Sequence, residues 1–217
     1  MLTFNIVTIF PKIFDSYFTN SIIQRAQTDG LVKINIHNLR DCATDKRQTV
    51  DDRPYGGGPG MILMAEPILK AVQKITKTSS PKKRKIIVLS AKGKLFTQQL
   101  AQKWSKDLNN IIFVSGRYEG IDERVKKILH AEEISIGPYV LNDGDVAIMT
   151  IISALTRLVP GVIKDISLEE ESYSMSDKWL EYPQYTRPEI IAWKKKNYKV
   201  PKVLLSGNHE KINEWRI

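Results

Sequence analysis

The sequence predicts an α/β domain on a mostly parallel sheet, followed by a small, mainly helical C-terminal module. Three observations carry this expectation. Short apolar strands alternate with helices, most regularly from Ile86 onward, as in a parallel sheet covered on both faces. Gly120 and Gly137 stand near strand ends, where such folds place ligands. After Pro160–Gly161 the rhythm stops, and an acidic, aromatic stretch leads into a basic tail. The expected boundaries are 1–160 for the α/β domain, 161–183 for an acidic linker or lid, and 184–217 for the tail module.

The elements follow in order. Leu2–Ile9 reads as a core strand, and Pro11 opens a short helix carrying Ile13, Phe14 and Phe18. Ile22–Thr28 is a second helical piece ended by Gly30, and Leu31–His37 alternates like a half-buried strand. Glu66–Pro67 starts a helix in which Ile68, Leu69, Val72 and Ile75 form one apolar stripe. Thr76–Lys85 reads as a polar, basic surface loop. Next come strand Ile86–Leu89, helix Thr97–Lys106, strand Ile111–Ser115, a largely helical Glu119–Leu129 and a short strand around Ile134–Ile136. Tyr139–Leu141 runs into the turn Asn142–Asp143–Gly144, and Asp143 or Asp145 can cap a helix from Val146 to Leu158. Beyond Ile190 the apolar anchors thin out to Val203–Leu205 and Trp215.

Across 217 residues, 33 Lys and Arg face 24 Asp and Glu, a formal net charge of +9. That excess favours a polyanionic partner, nucleic acid before an anionic membrane. The single cysteine, Cys42, excludes an internal disulfide. His37, His130 and His209 lack metal-ligand spacing, so the residues alone suggest no metal site. No run of 18 apolar residues exists, and MLTFNIVTIF has no cationic leader. The expectation is a cytoplasmic protein, without membrane contact or an obligate protein partner.

Three motifs are candidates for chemistry. VDDRPYGGGPGM, Val50–Met61, can follow a ligand closely because glycine reaches left-handed dihedrals. It is no phosphate-binding P-loop, since Met61 and Ile62 follow Gly60 where Lys and Ser/Thr are needed. A surface turn is the plain alternative. GRYEGIDERV, Gly116–Val125, sets two glycines around Arg117, Tyr118 and Glu119 directly after a strand. IGPYVLNDGD, Ile136–Asp145, is a backbone-lined turn whose apolar side chains could hold a flat heterocycle. Neither stretch carries a clear charge pattern for a pyrophosphate. LEEESYS, Leu168–Ser174, stacks three carboxylates, of which two read as a solvated face. No nucleophile elbow supports a Ser-His-Asp triad.

Taken together, VDDRPYGGGPGM, LSAKGKLFTQ, SGRYEGIDERV, SIGPYVL, YTRPE and VPKVLLSGNHEKINEWR resemble, in order, bacterial tRNA (guanine-N1)-methyltransferase of the knotted SPOUT class. The resemblance implies a catalytic domain with a deep trefoil knot that binds S-adenosyl-L-methionine in a bent form. It further implies a homodimer, a flexible linker, and a C-terminal domain that binds the tRNA anticodon region. The implied reaction methylates N1 of guanosine 37 when guanosine also occupies position 36, with magnesium required at an unknown site. By matching motif, the cofactor loops are Leu89, Ser90 and Gly93; Gly116, Tyr118 and Glu119; and Ile136, Gly137, Pro138, Tyr139, Val140 and Leu141 with Gly144. Asp52, Arg53, Gly57 and Gly58 are expected near the target guanosine, and His209 in the tRNA-binding module. Arg157 matches a catalytic arginine, and Glu171 takes the place of the family's proposed general base, an aspartate.

The chain departs from the pattern in several places. Besides Glu171, Ala91 stands where proline is usual and Pro138 where aspartate is common. NDGDVAIM replaces a turn resembling TGGELPAM, so Asp143 and Asp145 alter the cofactor turn. WKKKNYK, Trp193–Lys199, is longer and more basic than the usual connection, and Ile217 follows the Trp-Arg motif closely.

The chemistry fits independently of the resemblance. N1 of guanine carries a proton, so methylation needs a base there, a donor at O6 and an activated methyl in line. A carboxylate and an arginine suit the first two roles. Lys82–Lys85 and Lys194, Lys195 and Lys196 can neutralise tRNA phosphates without reading bases. Three rivals remain: a ribose 2′-O-methyltransferase of similar knotted architecture, a non-catalytic RNA-binding protein, and a solely structural or assembly protein.

Overall fold

The computed structural model describes residues 1–77, 83–164, 167, 171–173 and 179–216. The chain forms two compact units, Met1–Asp165 and Ile166–Ile217. Of the sequence expectations, Lys82, Glu169 and Glu170 lie outside the described residues.

The first unit contains strands β1 (Leu2–Thr8), β2 (Val32–Asn38), β3 (Asp51–Asp52), β4 (Ile62–Leu63), β5 (Arg84–Leu95), β6 (Asn110–Val114) and β7 (Glu132–Ser135). Its helices are α1 (Asp15–Phe18, after a 3-10 turn at Pro11–Phe14), α2 (Ser21–Thr28), α3 (Ala65–Lys77), α4 (Gln98–Asp107), α5 (Arg124–Leu129) and α6 (Asp145–Thr156). Five strands form one sheet in the order β2–β1–β6–β5–β7, and every neighbouring pair is parallel. β3 and β4 pair separately and antiparallel.

Strand β6 shows why the sheet needs two covered faces. Ile111 and Phe113 point into one core with Ile23 of α2, Trp104 of α4 and Ile148, Ile151 and Leu155 of α6. The alternating Ile112 and Val114 enter a second core with Ile68, Val72 and Ile75 of α3 and Val125 of α5. Both faces are dry, so the strand is a continuous apolar run. Burying each such side chain contributes about 1.5–3 kcal/mol, and truncating Phe113 to alanine would cost about 3–5 kcal/mol. Polar side chains inside the sheet are paired. Asn5 Nδ2 donates to Asn110 Oδ1 at 3.0 Å, and Asn35 Nδ2 donates to Asn5 Oδ1 at 3.0 Å. His37 joins this ladder through Nε2, 3.1 Å from Asn5 Oδ1, and burial lowers its pKa.

Three elements differ from the sequence expectation. Strand β5 does not stop at Leu89: both Leu89 and Lys94 stand opposite Ile134, so the strand resumes after looping out the residues between them. Helix α5 begins at Arg124, five residues later than expected, because the preceding backbone is engaged elsewhere. Glu119 N donates to Met61 O, Leu63 N to Gly120 O and Asp122 N to Leu63 O, each at 3.0 Å. Thr76 and Lys77 close α3, while Arg84 and Lys85 open β5, so the expected surface loop is shorter at both ends.

The second unit holds an antiparallel hairpin, β8 (Ile190–Trp193) with β9 (Lys196–Lys199), and two short helices, Lys202–Leu205 and His209–Arg216. The module expected to be mainly helical thus also carries a hairpin. Its strands are exposed throughout, so no buried face imposes an alternating pattern. Tyr185 packs against Trp215 at 6.2 Å between ring centroids, and the Arg216 guanidinium sits 4.6 Å over the Tyr182 ring.

Candidate functional site

A pocket of about 290 Å³ opens at the carboxyl ends of β5, β6 and β7. Its first wall is the loop that leaves β5 at Leu89 and Ser90. A β-carbon on Gly93 would meet Ile134 N at 2.5 Å, so only glycine lets the chain return flush against β7. Gly93 thus closes the loop from behind and is not part of the lining.

The second wall is the turn after β6, with Gly116, Arg117, Tyr118 and Glu119. Tyr118 adopts a left-handed φ of 58° and is half-exposed. The third wall comes from the turn after β7. Ser135 Oγ donates to Gly137 O at 2.9 Å, and Tyr139 Oη donates to Ile136 O at 3.2 Å. The Tyr139 ring folds over Gly137, where a β-carbon would lie 2.2 Å from it. Val140 and Leu141 also face the pocket and are exposed, whereas Pro138 is exposed outside it.

Glycines join these walls. Gly144 N donates to Gly116 O at 2.9 Å, and a β-carbon on Gly144 would stand 3.0 Å from Gly116 N. Asp143 caps the following helix: its Oδ1 accepts from Asp145 N at 2.9 Å and from Val146 N at 3.4 Å. Its Oδ2 accepts from Arg117 Nη2 at 3.0 Å, and the Arg117 guanidinium lies 4.3 Å over the Phe10 ring. Behind this pair, Asp145 is fully buried and its Oδ1 accepts from Thr8 Oγ1 at 2.9 Å. Burial pushes the Asp145 carboxyl above its ordinary pKa, and Asp143 adds to that, while Thr8 and Arg117 act the other way. Lys126 bridges Glu123 and Glu133, 2.7 Å from each. Although burial opposes ionisation of Glu133, Lys126 and Ser90 hold its pKa below the ordinary value.

The glycine-rich stretch meets this pocket. A β-carbon on Gly60 would lie 2.7 Å from Cγ of Glu119, and β4 is anchored to the same loop through Leu63 and Ile121. Gly57 and Gly58 adopt φ values of 79° and 128° on the exposed part of the stretch. Asp52 ends β3 with its Oδ1 accepting from Arg53 N at 2.7 Å.

The remaining expected site residues lie elsewhere. Arg157 follows α6 in the first unit, where its N–H donates to Ser153 O. Glu171 belongs to the second unit, as do Lys194, Lys195 and Lys196 at the hairpin and His209 at a helix start. Arg117, Asp143, Glu123, Lys126 and Glu133 are pocket residues that the motif reading did not assign. For Arg117, Glu123 and Asp143 the signal was the charge inside GRYEGIDERV and NDGD, whereas Lys126 and Glu133 lie outside both motifs, and nothing local states which charges face each other. Among the described residues, no group of three or more His, Cys, Asp or Glu side chains could hold a metal ion. No helix among them is long and apolar enough to cross a membrane.

Fold and pocket together define a parallel α/β domain with an open pocket at the carboxyl ends of its strands, where such folds place ligands. The family model described as tRNA (Guanine-1)-methyltransferase TrmD matches residues 2–217. A tRNA (guanine-N(1)-)-methyltransferase of Thermomicrobium roseum is 50% identical, over 99% of this chain and 77% of the relative. One from Dictyoglomus turgidum is 51% identical over 100% and 84%, and one from Clostridioides difficile 44% identical over 99% and 90%. The chain belongs to the tRNA (guanine-1)-methyltransferase family.

Proposed function

We propose that this protein methylates N1 of guanosine 37 in tRNA, with guanosine preferred at position 36 and S-adenosyl-L-methionine as methyl donor. The observation that carries the reading is the family match along essentially the whole chain, which includes the three loops that line one pocket. The pocket suits the donor. Tyr139, Val140 and Leu141 offer exposed apolar surface to a flat heterocycle, and carboxylates suit a sulfonium better than a phosphate. Leu89, Ser90, Gly116, Tyr118, Glu119 and the turn from Ile136 to Gly144 would hold it. Bound there, the donor supplies a methyl group activated by its sulfonium.

The protein's own residues would do the rest. The Glu171 carboxylate takes the N1 proton of guanine, which frees the ring nitrogen's lone pair. Arg157 donates to O6, where negative charge collects as the proton leaves. The Gly60–Glu119 contact supports placing the glycine-rich stretch, with Asp52 and Arg53, beside the target base. Lys194, Lys195 and Lys196 would neutralise tRNA phosphates. The accompanying architecture is a homodimer with a trefoil knot in residues 1–160, a linker at 161–183 and a tRNA-binding module at 184–217. Magnesium is implied by the resemblance, and among the described residues no group of three or more His, Cys, Asp or Glu side chains could hold it.

The deciding assay is methyl transfer into an unmodified tRNA with guanosines at 36 and 37, followed by nucleoside mass spectrometry. N1-methylguanosine should form, and a tRNA with adenosine at 37 should stay unmodified. A ribose 2′-O-methylated product, or no transfer with a competent tRNA, would overturn the reading.

A further inference from the structure

Two of the pocket's cations are already neutralised. Arg117 Nη2 lies 3.0 Å from Asp143 Oδ2 and 3.6 Å from Asp145 Oδ2. Lys126 Nζ lies 2.7 Å from both Glu123 Oε2 and Glu133 Oε2. Each of these cations therefore stands between two carboxylates. Along the lining, Glu119, Glu123, Glu133 and Asp143 outnumber Lys92, Arg117 and Lys126. Such a wall holds a cationic ligand better than a neutral one of the same shape.

Asp143 is the pivotal member of this set. One of its oxygens caps α6, and the other engages Arg117, so the arginine is tied to the helix that closes the pocket. The Phe10 ring covers the guanidinium on another side and limits its escape. Without the Asp143 charge, Arg117 would keep only the longer ion pair with Asp145, and the pocket lining would lose one negative charge facing the ligand.

The proposed methyl donor, on which this inference rests, exists in two charge states. It enters as a cationic sulfonium and leaves as a neutral thioether. We propose that Asp143, by neutralising Arg117, makes the pocket favour the sulfonium donor over the thioether product. Asp143 is then a specificity-determining residue that acts through Arg117 and performs no chemistry of its own. Its effect is to reduce occupancy of the pocket by spent cofactor.

Calorimetry with S-adenosylmethionine and S-adenosylhomocysteine at low salt tests this in the parent, Asp143→Asn and Asp143→Asn/Arg117→Gln. Asparagine keeps an acceptor oxygen for the N–H groups of Asp145 and Val146, so the helix cap survives. Asp143→Asn should weaken sulfonium binding about tenfold more than thioether binding, the scale of one uncompensated charge across a partly shielded pocket. Removing the guanidinium as well should return the ratio of the two affinities to within about twofold of the parent. Equal losses for both ligands in Asp143→Asn would overturn the inference and leave Asp143 as a helix cap. Failure of the double variant to restore the ratio would overturn it too. If the parent binds neither ligand, the cofactor reading itself fails and this inference with it.

Discussion

A β-carbon on Gly60 would lie 2.7 Å from both Cγ and Oε1 of Glu119, so the glycine-rich stretch and the pocket wall touch directly. Gly60→Ala must displace Glu119 and also occupy a φ of 75°, where an L-residue is strained. We expect a stability loss of about 1–3 kcal/mol and weaker S-adenosylhomocysteine binding. Gly57→Ala is the control, since its φ is 79° but nothing lies within 4 Å of the added carbon. It should lose stability by backbone strain alone and keep cofactor affinity. Thermal unfolding and calorimetry on both variants separate the two effects, and equal loss of affinity would refute a role for the Gly60–Glu119 approach.

Glu171 should be the working base. Glu171→Gln is expected to slow single-turnover methyl transfer at least about a hundredfold while sparing cofactor binding. Glu171→Asp keeps the carboxylate but withdraws it by one methylene, and should remain active if the segment adapts on tRNA. A rate for Glu171→Gln within about threefold of the parent would dismiss it as the base.

The hairpin between β8 and β9 turns on Lys194 and Lys195, with φ values of 46° and 63°, and Trp193 pairs with Lys196 across the turn. Positive φ at both central positions is the type I′ pattern, which asparagine and glycine adopt more readily than lysine. Here lysine occupies the strained positions and places two cations at the tip. Lys194→Asn/Lys195→Gly should therefore stabilise the hairpin yet weaken tRNA binding. The dependence of log affinity on log salt should flatten by about one for each phosphate that is no longer neutralised. An unchanged salt dependence would mean the tip does not touch the backbone of the tRNA.

Asp145 should make stability pH-dependent. Its folded-state pKa is raised above the ordinary 3.8, chiefly by burial, so the folded protein resists ionising it. The parent should lose stability relative to Asp145→Asn as pH rises through 3.8, until the folded-state carboxyl is fully ionised. Below 3.8 the difference should be constant. Urea denaturation of both proteins across that range measures it, and a parent that gains on the variant with rising pH would contradict the sign.

Much of the fold was legible in the sequence because periodicity reports burial. Ile111–Ser115 reads as a strand of a sheet covered on both faces, and Ile68, Val72 and Ile75 as one buried helix face, and both are found. Part of the pocket wall was legible for a related reason, since Gly120 and Gly137 stand near strand ends, where such folds open their clefts. The exposed hairpin was not, because it has no buried face to impose a pattern and its turn lacks the usual residues.

By itself, then, the sequence determined most strands and helices of the first unit, which faces they bury, and to which family the motifs belong. Only the tertiary structure decided who stands opposite whom. Arg117 meets Asp143 across 26 positions, and Gly60 meets Glu119 because β4 is tied to the loop after β6. Leu89 and Lys94 share one partner because Gly93 fits against Ile134. Parallel pairing joins residues far apart along the chain. A local period encodes the direction of a side chain, but not the identity of the group that waits there.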